Sequence, residues 1–274
     1  MVIEELDESS LRSVITFVHS ATGISIPEHK KTMIQRRLQS RLKLHSLTNY
    51  NDYLKLVKSD EKELLQFINS VTTNETSFFR TDRVWKYFEE VYLPTFVQDK
   101  PGTTLNIWSA AASTGEEGYS IGMCCEDLKK KQSASFDYRV LGTDISSRVV
   151  DVASKGRYQG RSTDNFRIKD ADRMKKYLTQ SGDEYIVSSI LKSKVKFRTH
   201  NLFKVLDESA HFDIVFLRNV LIYFTAKDQE IVLKNIERKM APDGIIVIGE
   251  SESLSKLNTN LEFVAPLIYR KKRG

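Results

Sequence analysis

Apolar residues in the first hundred positions recur at helical spacing, and beyond them the rhythm changes to alternating strands and helices. Ser9 or Ser10 can cap a helix whose inner face is Leu11, Val14, Ile15 and Val18. After a break at Gly23–Pro27, Ile34, Leu38 and Leu42 fall at i, i+4 and i+8, which predicts a helix over about Glu28–Leu44. Shorter helices follow at Asn51–Val57 and Asp60–Ile68, the second opening on Asp60-x-x-Glu63 as a candidate capping box. Another runs from about Asp82 to Val97, before the punctuation Lys100-Pro101-Gly102. From Thr104 the spacing predicts a strand at Leu105–Trp108, a helix at Gly115–Lys131, a strand at Tyr138–Gly142 and a helix from Ser146. Further strands are expected at Val195–Thr199 and Asp213–Leu217. A helix over Asp228–Met240, ended by Pro242-Asp243-Gly244, should lead to a buried strand at Ile245–Ile248 and a last strand at Glu262–Arg270. Strands alternating with helices imply a mostly parallel sheet covered on both faces. The expected division is therefore a helical domain over 1–97 and an α/β domain over 98–274, with an inserted β hairpin arm at about 178–195.

Length and composition fit this picture without sharpening it. The 274 residues are 40% hydrophobic and 28% charged, ordinary for a globular chain. The acidic start MVIEELDESS has no secretory pattern, and no run approaches the roughly 18–20 apolar residues of a membrane span. The two cysteines, Cys124 and Cys125, are adjacent, which excludes a disulfide framework and metal-ligand spacing. Five scattered histidines (His19, His29, His45, His200, His211) likewise give no metal site. A reducing cytoplasm is the expected location. Charge matters by position: residues 1–100 carry 14 basic and 14 acidic residues, yet His29–Lys43 holds six basic residues and no acidic one. Arg270–Arg273 forms a second basic cluster.

The first strand of the α/β part runs into Ala110-Ala111-Ala112-Ser113-Thr114-Gly115. Small side chains there let backbone approach a ligand, and open parallel sheets bind ligands beyond the carboxyl ends of their strands. A dinucleotide site would show G-x-G-x-x-G facing pyrophosphate. Here one glycine is followed by Glu116 and Glu117, which repel pyrophosphate and suit a ligand bearing positive charge, such as S-adenosylmethionine (SAM). The same glutamates could simply complement the helix dipole. Asp144, at the end of the second strand, can accept hydrogen bonds from both hydroxyls of a ribose, or cap the next helix. At the end of the fourth core strand stands Leu217-Arg218-Asn219-Val220-Leu221-Ile222-Tyr223-Phe224. It lacks the Asn/Asp-Pro-Pro-aromatic motif of many nitrogen methyltransferases, which argues against a nucleobase or amide acceptor.

Val71-Thr72-Thr73-Asn74-Glu75-Thr76-Ser77-Phe78-Phe79-Arg80 adds a second signature. Taken with AASTGEE, Asp144, Asn201-Leu202 and RNVLIYF in that order, the chain resembles the chemotaxis receptor methyltransferases, the CheR family. The resemblance implies a class I SAM-dependent methyltransferase fold, a Rossmann-like, mostly parallel sheet, with an N-terminal all-helical domain and a small β hairpin subdomain. It implies methyl ester formation on glutamate side chains of chemoreceptor cytoplasmic helices, with S-adenosylhomocysteine (SAH) as by-product. Carried over residue by residue, cofactor contacts fall on Asn74, Thr76, Arg80, Glu116, Asp144, Asn201, Leu202, Arg218 and Asn219. Arg80 and Tyr223 fall near the reacting atoms, although Tyr223 also reads as core. Three departures stand out: Gly118 where proline is common, Gly249-Glu250-Ser251-Glu252 where His-Ser-Glu is common, and a short hairpin turn at Thr179–Tyr185. The last points to receptor recognition without a C-terminal pentapeptide.

A carboxylate acceptor of pKa about 4.3 is ionised near neutrality and needs no general base, which fits the lack of any Ser/His/Asp or Cys/His constellation. Lys30, Arg37 and Arg41 lie within about 40° of one another on the basic helix and would dock glutamate-rich receptor helices, unless they are only a solvated face. Nucleic acid is disfavoured because no aromatic residues interleave with the basic ones. Two other readings remain: a SAM-sensing interaction module of this fold without turnover, and a methyltransferase of small-molecule carboxylates.

Overall fold

The computed structural model describes residues 3–132 and 136–272; Arg273 of the C-terminal basic cluster lies outside the described residues. The helical part consists of α1 (Glu8–Thr22), a 3-10 turn at Glu28–Lys30 continuing into α2 (Lys31–Leu44), α3 (Tyr50–Ser59) and α4 (Glu61–Val71). Asp7 caps α1, accepting from the Ser10 amide, and Gly23 ends it in the left-handed conformation. The apolar stripes meet in one core that includes Val14, Val18, Ile34, Leu38, Leu42, Tyr53 and Phe67. Only half of the expected capping box forms. Asp60 accepts from the Lys62 and Glu63 amides, but Glu63 turns inward instead of reaching back. It is buried and accepts from Arg41, from His45 Nε2 at 2.9 Å and from Tyr53 Oη at 2.6 Å. Burial pushes the Glu63 carboxyl up, and these three donors outweigh it, leaving it below the usual range.

One bent helical stretch follows: α5 (Asp82–Tyr87), a π turn at Phe88–Tyr92, and α6 (Leu93–Asp99). Pro94 has no N–H to donate to the Glu90 carbonyl, and the wider turn just before it, with Leu93 N–H reaching Phe88 O, absorbs the defect. The buried apolar residues of this stretch belong to a different core from that of the first four helices. Trp85, Phe88, Leu93 and Phe96 share the core of Leu105, Ile107, Ile214 and Phe216, so apolar packing divides the chain near residue 72.

The α/β part follows as β1 (Thr104–Ser109), α7 (Glu116–Gln132), β2 (Asp137–Asp144), α8 (Ser147–Lys155), β3 (Arg157–Tyr158), α9 (Arg161–Lys169) and α10 (Ala171–Tyr177). It continues as β4 (Leu178–Ser181), β5 (Glu184–Val187), α11 (Ser189–Lys194), β6 (Val195–Thr199), β7 (Phe212–Leu217) and α12 (Ala226–Glu237). The last elements are β8 (Met240–Ile248), β9 (Leu261–Ala265) and β10 (Ile268–Lys271). Seven strands form one sheet in the order β6-β2-β1-β7-β8-β10-β9, the first five parallel and the last two antiparallel. Alternate residues of one strand enter opposite cores: Ile214 and Phe216 face α7 and the bent helix, while Val215 and Leu217 face α12. The hairpin arm is a three-stranded sheet, β3-β5-β4, because Arg157–Tyr158 pairs with β5.

Two C-terminal expectations fail. The helix ends at Glu237, and Pro242-Asp243-Gly244 lies inside β8 as an outward bulge: Phe212 pairs with Met240 and Ile214 already with Ile245. Glu262–Arg270 is not one strand but the β9–β10 hairpin, turning at Pro266-Leu267 with Leu267 at φ 70°. Among the described residues, no helix is long and apolar enough to cross a membrane.

Candidate functional site

The carboxyl ends of β1, β2, β6 and β7 open into a cleft whose far wall is the helical part. Six segments build it: Thr22–Pro27 with Lys30 and Met33, Val71–Ser77 with Arg80, Ala110–Ser113, Asp144–Ile145, His200–Leu202, and Arg218–Val220 with Tyr223 and Phe224. The seam between the two halves is bonded around it. Ser25 N–H donates to Tyr223 O at 2.8 Å, Asn201 Nδ2 to Ala21 O at 3.2 Å, and Ser146 Oγ to Asn69 Oδ1 at 2.8 Å. His19 Nε2 meets Asp228 Oδ2 at 2.9 Å. Gly23, at φ 77°, leaves room for the Phe203 ring, which a Cβ there would approach to 1.9 Å.

The turn after β1 is held open by its own backbone. Gly115, at φ 95°, and Ser113, at φ 49°, turn the chain into α7. Ser113 N–H donates to Asp144 Oδ2 at 2.9 Å, and its hydroxyl donates to Asn74 O at 2.8 Å, tying the turn to the Thr72–Arg80 segment. Asp144 Oδ1 accepts from Ser146 N–H at 2.9 Å. Burial pushes the Asp144 carboxyl above its usual range against these donors. Each of its oxygens keeps a further lone pair, which suits a diol.

Glu116 does not line the cleft; Glu117 does. Successive helical residues are 100° apart, so only one of the pair can face the strand ends. Glu116 accepts from Thr114 Oγ1 at 2.6 Å and Ser162 Oγ at 2.9 Å, away from the cleft, and burial raises its carboxyl. Glu117 accepts from Ser109 Oγ at 2.7 Å and from Arg218 Nη1 at 2.9 Å. Gly118, where proline was the alternative, lies under the Phe197 ring, 3.2 Å from where a Cβ would stand. The helix start thus gives up a side chain to seat that ring.

Around Arg80 the backbone inverts twice, with Phe79 at φ 51° and Thr81 at φ 72°. That sends Phe78 and Phe79 into an aromatic cluster with Phe166, Tyr158 and Trp85, and leaves Arg80 exposed over the cleft. Left-handed non-glycine residues store strain that tends to gather at functional sites. Asn219 is another, at φ 58°. Its loop is held by Glu252, a residue the sequence reading passed over. Glu252 Oε1 accepts from Val220 and Leu221 N–H, both at 2.8 Å, and Oε2 from Asn219 at 3.1 Å and Gly249 at 2.6 Å. The late motif therefore keeps its carboxylate, and Glu250 stands in the histidine position, paired with Arg83 at 3.1 Å.

Of the expected site residues, Asn74, Thr76, Arg80, Asp144, Asn201, Leu202, Arg218, Asn219 and Tyr223 come together on one cleft. The docking trio separates. Lys30 is exposed at the cleft, and among the described residues no ion pair engages it. Arg37 is occupied by the Val71 and Thr72 carbonyls at 2.8 and 3.2 Å and by Thr73 Oγ1 at 3.1 Å. Arg41 is occupied by buried Glu63. These two guanidiniums fasten α2 to α4 and to the turn leading to Asn74. Helical spacing put all three on one face, but could not show that α4 covers part of it.

Acidic groups thus lie inside the cleft, at Asp144 and Glu117, and exposed cations lie at its mouth, at Lys30 and Arg80. A carboxyl with a lone pair left on each oxygen, beside a second carboxyl, fits a cationic nucleoside. A family model described as the CheR methyltransferase SAM-binding domain matches residues 74–268, and one described as its all-alpha domain matches 9–72. The chain is 31% identical to a chemotaxis protein methyltransferase of Borreliella burgdorferi, over 97% of this chain and 95% of the relative. It is 31% identical to that of Escherichia coli, over 96% and 91%. It is 29% identical to chemotaxis protein methyltransferase Cher2 of Pseudomonas putida, over 93% and 95%. With both domain models matched in order and the cleft built where they join, the chain belongs to the CheR methyltransferase family, as a class I methyltransferase with a SAM-binding α/β domain.

Proposed function

We propose that the protein esterifies glutamate side chains on the cytoplasmic helices of chemoreceptors, in the cytoplasm, with SAM as methyl donor. The observation that carries this is the charge order of the cleft: Asp144 and the Arg218-paired Glu117 within, exposed Lys30 and Arg80 at the mouth. The named relatives are chemotaxis protein methyltransferases, which supports the acceptor class.

Asn74, Thr76, Asp144, Asn201, Leu202, Arg218 and Asn219 would hold the cofactor, with Glu117 in the place first given to Glu116. When bound, SAM supplies a sulfonium-activated methyl group. The rest is placement. Arg80, held by its Nη1 bond to Glu75 O at 3.2 Å, orients the acceptor carboxylate, and Tyr223 closes over the reacting atoms and excludes water. No side chain has to take a proton from an acceptor already ionised. Lys30, with the exposed Arg36 and Lys43, steers the acidic receptor helix. The β4–β5 hairpin closes in two residues, Gly182 and Asp183, which supports recognition without a receptor pentapeptide.

The test is incubation with methyl-labelled SAM and chemoreceptor-containing membranes, followed by mild base. Base-labile label on receptor, slowed by added salt and by Lys30→Glu, is expected. Base-stable label, or none, overturns the reading.

A further inference from the structure

The helical part holds the turn Asp144-Ile145-Ser146 at two points. Ile145 packs against the helical core. Ser146, fully buried, donates its hydroxyl to Asn69 Oδ1 at 2.8 Å. Ser146 is also the residue before α8, where a serine hydroxyl ordinarily accepts a backbone N–H of the first turn. Here it makes no such cap. Asn69, buried in α4, supplies the acceptor instead: its Oδ1 takes Arg148 N–H at 3.4 Å, and its Nδ2 donates to Ser147 Oγ at 3.2 Å. The start of α8 is thus satisfied by a side chain of the helical part. Ser146 also faces the cleft, since its N–H donates to Asp144 Oδ1 at 2.9 Å. Asn69 O accepts from Arg148 Nη2 and Thr72 Oγ1, both at 3.4 Å, and Thr72 Oγ1 accepts from Asn74 Nδ2 at 3.3 Å. One residue of α4 therefore reaches both Asp144 and Asn74 through a single intermediary each.

We propose that Asn69 is a positioning residue for the cofactor: by fixing Ser146 it holds the Asp144 carboxyl in the orientation that reads the ribose diol. This rests on the assignment of Asp144 to the ribose. With one oxygen on Ser113 N–H and the other on Ser146 N–H, the carboxyl cannot rotate without losing both bonds. Its remaining lone pairs therefore point where those two N–H groups set them. The turn after β1 places the first group, and the bond from the Ser146 hydroxyl to Asn69 places the second. An apolar residue at position 69 would leave a buried hydroxyl without its acceptor, a loss comparable to the hydrogen bond itself. Turning to cap α8 is then the way left to satisfy it, and the turn that carries Asp144 is no longer pinned. The sequence offered no such role, because the partners of Asn69 lie 77 to 79 residues further along the chain.

The test is calorimetric titration of the full chain with SAH and with its 2′,3′-dideoxy analogue, which lacks both ribose hydroxyls. Asn69→Leu keeps the volume and removes the polar contacts. Asn69→Asp keeps the acceptor oxygen at the start of α8, where negative charge is favoured. Asn69→Leu should bind SAH about tenfold more weakly, the worth of one hydrogen bond to a carboxylate, and bind the dideoxy analogue as the wild type does. Asn69→Asp should recover most of the SAH affinity. Ser146→Ala removes the donor of the same bond and should lose the same preference, so the role of Asn69 is tested even where Asn69→Leu does not fold. Equal losses for the two ligands, as general loosening of the seam would give, or unchanged SAH affinity, overturns the proposal. Asp144→Asn separates the two assignments. If it keeps the preference for SAH, the ribose assignment falls and the role of Asn69 with it. If Asp144→Asn loses the preference while Asn69→Leu and Ser146→Ala keep it, only the role of Asn69 falls.

Discussion

Glu252→Gln is the sharpest perturbation of the scaffold behind the site. The carboxylate accepts four backbone N–H bonds, two on each oxygen, from Gly249 and Asn219–Leu221. Glutamine replaces one oxygen with an amino group, so two N–H donors would face another donor. Bonds to a charged acceptor contribute about 1.5–3 kcal/mol each, so two lost bonds amount to about 3–6 kcal/mol. Part is offset because a buried charge disappears: burial pushes the Glu252 carboxyl above its usual range. A net loss of about 3 kcal/mol is expected. At roughly 2–4 °C per kcal/mol, that lowers the melting temperature by about 6–12 °C. The loop also carries Arg218 and Asn219 into the cleft, so SAH affinity should fall about tenfold in the folded variant. Calorimetric melting and SAH titration read the two effects separately. A variant that melts and binds like the wild type would refute the role of Glu252 as the clamp of this loop.

Other expectations follow from the same contacts. Arg37→Glu should cost about 2–4 kcal/mol in urea unfolding, since it removes three hydrogen bonds and sets a carboxylate against two carbonyls. Unchanged stability with weakened receptor binding would restore the docking role. Glu117→Gln should weaken SAH binding at least tenfold while Glu116→Gln changes it less than threefold; equal effects on titration would count against the orientation of α7. His200 has a folded pKa lowered from 6.5 to about 4, so its stabilising contribution is present above pH 6.5 and is lost as pH falls towards 4. Denaturation at pH 7 and pH 5 should therefore show a larger loss in the wild type than in His200→Phe, and parallel losses would contradict it. Gly23→Ala should cost about 1–3 kcal/mol because the Phe203 ring and the positive φ both oppose it; a neutral substitution would mean the seam yields easily.

Much of the architecture was legible because its signals are local. Helical spacing placed the stripes of α1 and α2, and alternating strands and helices gave the parallel sheet. The motif residues from Asn74 to Asn219 meet on one cleft because strand ends and the segment before the sheet converge there. What escaped depended on partners distant in sequence. Pro242-Asp243-Gly244 has the composition of a turn and instead bulges from a strand already paired with β7. Glu116 and Glu117 are equivalent on paper, and only the positions of Ser109 and Arg218 separate them. Arg37 and Arg41 carry the same charge as Lys30, yet their roles are set by α4. Glu252 offered a motif without a visible purpose until the four amides around it were in place.

The cleft takes one wall from residues 22–33, another from residues 71–80, and the rest from strand ends more than seventy residues beyond the first wall. The helical part is therefore no detachable adaptor that a lineage could exchange for another receptor-reading module. A replacement would have to supply not only a new docking face but also the surface beside Tyr223 and the cofactor. Under the proposed docking of the receptor on α2, changes that retune receptor choice are separable from the donor site only on its outward side, at positions such as Arg36 and Lys43. On the inward side, specificity for the acceptor and retention of the donor must evolve together.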